Sequence, residues 1–325
     1  MNLSQNRTPL VSVIIPTYNH AQFIGKAIES VLCQSYNNLE LIIVDNYSND
    51  NTREVVQTFK DNRYQYFSFS NKGIIAASRN YGVSQSKGEV ISFLDSDDEW
   101  VKDKLKKQVK HLFSDGISCV CSNFLPIGDV NLSRSHLKFQ NGESFQDFSY
   151  NQILLNNPVM NSSAIMLKDS FIKLGGLDEN PNFIAIEDWD LWLRASNLGN
   201  IRILAEPLIN YRIHDNNRRD KRDVHLRSGD LIKKHQSLGY IDEKLMRAAN
   251  GNRFLLLGKA CLDVNDWQGI KYYIRAFRYS IGFHNKLRAV VCIILFLFPK
   301  NIRRKIINVL QRVSLIIQKN IYHKW

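Results

Sequence analysis

Over the first hundred residues, short apolar runs alternate with longer stretches in which apolar positions recur at wider spacing. "LVSVIIP" is β-branched, stops at Pro16 and is followed by the turn-like Tyr18-Asn19-His20. Behind it Phe23, Ile24, Ala27, Ile28, Val31 and Leu32 keep the i, i+3, i+4 spacing of one helix face. The alternation repeats three times. "LELIIVD" ends on Asp45 and leads through cap-type "SNDNT" into an amphipathic stretch; "YQYFSFS" precedes "IIAASRNYGVSQS"; "EVISFLD" runs into a knot of acids. Strands alternating with helices of about 10–15 residues predict βαβ units and a largely parallel sheet. Ligands of such sheets bind beyond the carboxyl ends of the strands. Tyr18-Asn19, Asp45 and Asp95–Asp98 all fall at such ends, which predicts one shared site.

Further along, "VKDKLKKQVKHLF" predicts a helix with a basic outer face, and residues 123–150 predict a polar, irregular segment over the site. "FIAIEDWDLWLRASNLG" predicts a helix with Trp189, Trp192, Leu193 and Ser196 along one face. Glu187 and Asp188 then sit in its first turn, where the positive helix end favours carboxylates. "LAEPLINYRIHD" predicts a last strand leading out to Tyr211, Arg212 and His214. Beyond it the pattern is helical, dividing the chain into residues 1–220 and 221–325. Ala289–Phe298 is apolar throughout but ends at Pro299, short of the roughly 18–20 residues that span a bilayer. Ile302, Ile306, Val309/Leu310, Val313 and Ile317 then form a helical stripe interleaved with Arg303, Arg304, Lys305, Arg312 and Lys319. That pattern fits an interfacial helix on anionic lipid, or a helix that packs on the main domain.

Charge sharpens this division. The 325 residues carry a net +12, split into −4 over residues 1–200 and +16 over residues 201–325. The basic part faces something anionic: DNA, RNA or an acidic membrane surface. Its cations interleave with Leu, Ile and Phe rather than with stacking aromatics, which argues against nucleic acid. The five cysteines form no C-x-x-C pair and read as small core residues of a reducing compartment. The N-terminus is too short and too poorly flanked in its apolar run for a signal peptide.

The acids Asp95, Asp97, Asp98 and Glu99 need a partner. An EF-hand fails, because the sixth position from Asp95 is Trp100 and the twelfth is Lys106. No G-x-G-x-x-G follows the first strand, and "GVSQSKG" lacks the Gly-Lys-Ser/Thr of a phosphate loop. An aspartyl phosphohydrolase uses D-x-D after its first strand rather than its fourth. A D-x-D holding a divalent cation against a diphosphate remains. Mg²⁺ and Mn²⁺ take oxygen ligands, one or two carboxylates from protein and the rest from substrate phosphates.

"VSVIIPTYNHAQFIGKAIESVLCQSYNNLELIIVDNYSNDNT", "NKGIIAASRNYGVSQSKGEVISFLDSDD", "GGLDEN" and "IEDWDLWLRAS" together resemble family 2 glycosyltransferases of the GT-A fold, over about residues 10–215. The resemblance implies an α/β fold, a Rossmann-like mixed sheet flanked by helices, with the C-terminal helical region following it. It implies inverting transfer from a nucleotide-diphosphate sugar, with a UDP-sugar expected, using Mn²⁺ or Mg²⁺. The acceptor would be a hydroxyl of a saccharide or lipid-linked molecule in bacterial capsule, O-antigen or exopolysaccharide assembly, at the inner face of the cell membrane. Pro16, Thr17, Tyr18 and Asn19 match the first nucleotide loop, and Asp45 the acid that reads base or ribose. Arg79 and Asn80 match the "ARN" motif near the nucleotide. Asp95 would face ribose and metal, Ser96 would join the donor contacts and Asp97 would be the main metal ligand. Asp188 matches the general base, with Glu187 its neighbour on the donor side. His214 sits where a further metal or diphosphate contact is found. On the residues alone, Asp45 reads equally as a turn residue, Arg79 as a surface cation and His214 as a structural hydrogen-bonder.

Two departures stand out. The family's "VDDGS" reads Val44-Asp45-Asn46-Tyr47-Ser48, losing a charge and a glycine, and "ARN" begins with Ser78. Two readings of other classes remain: a non-catalytic nucleotide-sugar binder, against which Asp97 and Asp188 argue, and a nucleic-acid-binding protein using the basic region.

Overall fold

The computed structural model describes residues 7–128, 137, 139, 142–214, 221–280, 282–299 and 302. They fall into two compact units, residues 1–219 and 220–325.

The first unit opens with β1 (Val11–Thr17), α1 (Ala21–Leu32), β2 (Leu39–Asp45), α2 (Thr52–Gln57), β3 (Tyr64–Ser68), α3 (Ile75–Gln85) and β4 (Val90–Phe93). Every residue of β1 and β2 is buried, which is why these strands read as continuous β-branched runs instead of alternating ones. The helix face foreseen in α1 buries Ile24, Ala27, Ile28 and Val31. There follow β5 (Glu99–Trp100), α4 (Lys104–Leu112), β6 (Ile117–Gly128), β7 (Phe145–Phe148), α5 (Tyr150–Leu155), β8 (Ile165–Leu167), α6 (Lys168–Lys173), α7 (Glu187–Ser196) and β9 (Asn200–Ile213). Among the described residues the strands form one sheet in the order β3-β2-β1-β4-β8-β6-β9-β5, with β7 on β9. The half β3-β2-β1-β4 is parallel, while β8 runs antiparallel to both β4 and β6. The sheet is therefore mixed. Register brings Thr17 opposite Asp45 and Asp45 opposite Ser68, so the loops after β1, β2 and β3 leave the sheet at one level.

Two expectations are corrected. The segment from 123 on is not all irregular, because β6 continues to Gly128 alongside β9 and β7 pairs with β9. Ser118, Ser122 and Asn123 interrupt the apolar pattern, yet they are buried. The Ser118 hydroxyl donates to Gly199 O at 2.8 Å and the Asn123 amide to Leu137 O at 3.1 Å. The basic outer face of α4 also has an exception. Lys104 is 0% exposed, its Nζ lying 3.8 Å from the centre of the Trp100 ring and 3.4 Å from Ser92 Oγ. Burial pushes its ammonium down to about 7. The unfolded chain binds more protons than the folded one between that value and the ordinary lysine range, so this group's penalty on stability is largest below pH 7 and fades as pH rises. Lys104→Met, similar in volume and uncharged, is expected to stabilise the fold by about 1–2 kcal/mol at pH 6 and by less at pH 9. Thermal melts at the two pH values check this; a lower melting temperature at pH 6 contradicts it.

The second unit contains α8 (Lys221–Ser237), α9 (Glu243–Asp263), α10 (Gly269–Tyr279) and α11 (Phe283–Leu295). Phe254, Leu257, Tyr273, Ala276, Ala289, Leu295 and Phe296 form its core. Among the described residues no helix is long and apolar enough to cross a membrane. The stripe from Ile306 to Ile317 lies outside the described residues.

Candidate active site

The loops after β1 and β2 are laced together. Asn46 N donates to Thr17 O at 3.0 Å, Asn19 N to Ser48 Oγ at 2.8 Å and Asn49 N to Asn19 Oδ1 at 2.8 Å. His20 N and Ala21 N donate to Thr52 Oγ1 and Asp50 Oδ2, at 3.0 and 3.1 Å. Tyr18 leaves this lattice half exposed, while Thr17 is buried and its hydroxyl has no hydrogen-bond partner among the described residues. Asp45 is 2% exposed. Its carboxylate accepts from Ser48 N at 3.1 Å, Ser48 Oγ at 2.5 Å and Tyr66 OH at 2.5 Å.

The acidic turn follows β4 directly. Asp95 and Asp97 stay partly open to solvent, whereas Ser96 and Asp98 are buried. Asp97 Oδ2 lies 2.9 Å from His214 Nε2, a neutral or charged contact according to the ring's protonation. His20 Nδ1 is 2.7 Å from Ser96 Oγ, and the His20 and Phe23 rings lie 6.2 and 4.8 Å from that of His214. Asp98 accepts from Ser162 Oγ at 2.6 Å and from Arg212 N at 2.9 Å. Burial, with Asp97 and Asp95 beside it, holds the Asp98 carboxyl well above the usual carboxylate range. Arg212 donates from Nε to Asp97 O at 2.9 Å and pairs with Glu99 through Nη2. The last strand is thus pinned to the turn by Asp98 and Glu99; neither caps α4.

Arg79 joins this turn to α7. It is 3% exposed; Nη2 donates to Asp95 Oδ1 at 2.6 Å and Nη1 to Glu187 Oε1 at 2.8 Å. Burial opposes its charge, but the fields of Asp95 and Glu187 outweigh that and raise its pKa. Next to Glu187, Asp188 accepts from Trp189 N at 2.7 Å. Burial first and the charge of Glu187 second push the Asp188 carboxyl up to about 7, against the pull of Arg79. Asn80 lies apart from this network. Its amide donates to Leu177 O and Glu179 Oε1, and its carbonyl accepts from Leu177 N, fixing the turn after Gly175-Gly176.

The residues suit a divalent cation. Among the described residues no group of three or more His, Cys, Asp and Glu side chains converges on one point. Asp97 and His214 meet directly, with Asp95 two residues away. A small oxygen-and-imidazole set of this kind is compatible with a divalent cation that takes its other ligands from a bound substrate. Three residues here have no role assigned from the sequence: His20, Ser162 and Arg212. His20 follows the "PTYN" loop, the one cue that could have marked it.

Residues 12–175 match the family model of glycosyl transferase family 2. UDP-Glc:alpha-D-GlcNAc-diphosphoundecaprenol beta-1,3-glucosyltransferase WfgD of Escherichia coli is 32% identical over 59% of this chain and 72% of its own length. The chain spans 65% of the length of another curated relative, an uncharacterized glycosyltransferase of Rickettsia typhi, at 30% identity over 64% of this chain. Among solved structures, Staphylococcus aureus TarS residues 1–349 superpose with a TM-score of 0.61 at 16% identity, over 88% of this chain and 89% of that one. The mannosyltransferase PcManGT of Pyrobaculum calidifontis, with GDP-Man and Mn2+, gives 0.57 at 17% identity over 99% and 89%. The fold is similar to that of these two glycosyltransferases, the GT-A type. The chain belongs to glycosyl transferase family 2.

Proposed function

We propose that this chain is an inverting transferase that moves a sugar from a nucleoside diphosphate sugar, with a UDP-sugar the expected donor, to a hydroxyl of a saccharide or lipid-linked acceptor in bacterial surface polysaccharide assembly. One observation carries this reading: Arg79 ties the Asp95–Asp97 turn to Glu187, which puts Asp188, with a pKa near 7, near the turn whose Asp97 meets His214. The similarity to WfgD, whose name states a UDP-Glc donor and a lipid-linked acceptor, supports the donor and acceptor class. PcManGT with GDP-Man and Mn2+ supports the cation.

Asp97, Asp95 and His214 would hold Mn²⁺ or Mg²⁺, which when bound stabilises negative charge on a leaving diphosphate. Pro16, Thr17, Tyr18 and Asn19 line the nucleotide end together with the loop that Asp45 folds, and Ser96 lies beside the diphosphate. Arg79, engaged by two carboxylates, holds Asp95 and Glu187 in place, and Asn80 holds the neighbouring turn. Asp188 takes the proton of the attacking hydroxyl. A single displacement needs no carboxylate nucleophile and inverts the anomeric centre.

Residues 1–220 form the transferase domain in this reading, and residues 221–325 a region that meets anionic lipid at the inner face of the membrane. Leu287, Val290, Ile294 and Leu297 of α11 and the turn after it are exposed, with Lys286 and Arg288 among them, the mixture of apolar and basic groups that an interfacial helix presents. Incubating the full chain with Mn²⁺ or Mg²⁺, a panel of nucleotide sugars and membrane lipid extract, then assaying released nucleotide, tests the proposal. Turnover with no donor overturns it.

The rate carries a pH signature. Asp188 acts as a base only when ionised, so kcat/KM falls on the acid side with an inflection near 7. Glu187→Gln removes the charge that helps to raise this pKa and moves the inflection to lower pH. An inflection that stays in place shows that another group titrates.

A further inference from the structure

We propose that Tyr47 is a nucleobase-binding residue, its ring the face on which the base of the donor nucleotide stacks. The assignment rests on the nucleoside diphosphate sugar reading above. Tyr47 has a φ of 55°, the left-handed region, where a bulky aromatic residue is a genuine outlier. Such strain survives only where the surroundings over-determine it, and it gathers at binding sites. Here the surroundings do so. On one side Asn46 N is tied to Thr17 O, and Asn46 Oδ1 accepts from Asn71 N at 2.9 Å. On the other, Ser48 is held through N and Oγ by Asp45, while Tyr66 OH occupies the remaining Asp45 oxygen at 2.5 Å. The loops after β1, β2 and β3 together fix the backbone on both sides of Tyr47.

What that scaffold presents is the tyrosine itself. The residue is 64% exposed, and its side chain forms no hydrogen bond or ring contact among the described residues. Nothing inside the fold explains why a large aromatic is held in a conformation that glycine adopts freely. Asp45, almost wholly buried with both oxygens engaged, positions this loop, and the base is met by what the loop exposes.

The placement selects the base over the acceptor. In the sheet β2 is separated from β4 by β1 alone, so the end of β2 lies two strand spacings, about 10 Å, from the acidic turn. A ribose linking a diphosphate at that turn to its base spans a distance of this order. The acceptor must instead approach Asp188 on α7. Every base has a π face, so stacking on Tyr47 adds affinity for any nucleotide.

The test uses the full chain with Mn²⁺ and UDP, and in parallel GDP, measuring affinity by calorimetry, donor KM and kcat by released nucleotide, and melting temperature. Tyr47→Phe binds as wild type. Tyr47→Ala and Tyr47→Gly bind the wild type's preferred nucleotide about tenfold more weakly and raise donor KM by a similar factor, with kcat within twofold. Tyr47→Gly also melts higher than wild type, because the left-handed strain is gone. Stabilisation joined to weaker nucleotide binding is a pattern that a merely structural tyrosine would not give. Tyr47→Gly that binds nucleotide within twofold of wild type overturns the assignment, as does a rise in acceptor KM with unchanged nucleotide affinity. A wild-type chain that binds neither UDP nor GDP overturns the donor reading as well.

Discussion

Asp188→Asn lowers kcat for sugar transfer by about 10²–10⁴-fold, the range that one positioned general base supplies, and leaves nucleotide affinity within a few-fold of wild type. The substitution keeps the shape of the side chain and an oxygen that can accept from Trp189 N, now 2.7 Å from Asp188 Oδ1. It removes only the ability to take a proton. Stability separates loss of a base from loss of a fold. A carboxyl raised to about 7 is protonated in the folded chain at pH values where the unfolded chain has already ionised. The resulting penalty is absent below the unfolded value near 4 and complete above pH 7. Asparagine escapes it, so Asp188→Asn melts no lower than wild type at pH 8 while the two converge near pH 4. Transfer at the wild-type rate by Asp188→Asn would remove Asp188 from the role of base. A melting temperature well below wild type at pH 8 would instead mean that the carboxylate is structural.

Much of this site was legible in the chain because it lies at strand ends, and strand ends are marked by local patterns. β1, β2 and β4 are short apolar runs, and the residues at or just past their ends, Tyr18, Asp45 and Asp95, could be placed at one end of a sheet before any register was known. Glu187 and Asp188 were legible as the first turn of α7 because Trp192 and Leu193 carry the helical period behind them. What stayed hidden depends on contacts between distant segments. Nothing near Arg79 announces that its guanidinium is 3% exposed between Asp95 and Glu187, 16 and 108 residues away. His20 offers no periodic cue and gains its place only when β4 brings Ser96 beside it. β6 was missed because Ser118, Ser122 and Asn123 break the apolar pattern of a strand that its neighbours bury. Tyr47 stands out in the sequence as a departure from "VDDGS"; only the positive φ shows that it holds a left-handed conformation that glycine adopts freely.

Arg79→Met is expected to cost about 3–5 kcal/mol of stability, the usual result of removing one partner from a buried ion pair. The cost comes less from the lost hydrogen bonds than from what remains. Glu187 is buried, and its second oxygen already lacks a partner among the described residues. Without the guanidinium 2.8 Å from its first oxygen, a carboxylate stays buried with no cation to balance it. Lysine cannot rescue the site, since one ammonium cannot reproduce a planar fork that reaches Asp95 and Glu187 from separate nitrogens. The double variant Arg79→Met with Glu187→Gln removes the stranded charge and should recover part of the loss. Chemistry responds as well. Arg79 opposes the rise in the Asp188 pKa, so any residual activity of Arg79→Met has its acid inflection moved upward, opposite to the shift from Glu187→Gln. Thermal melts of the two single variants and the double, with pH–rate profiles where turnover persists, check both halves. A melting temperature within about 2 °C of wild type for Arg79→Met, less than 1 kcal/mol in a chain of this size, would show that Asp95 and Glu187 do not depend on Arg79.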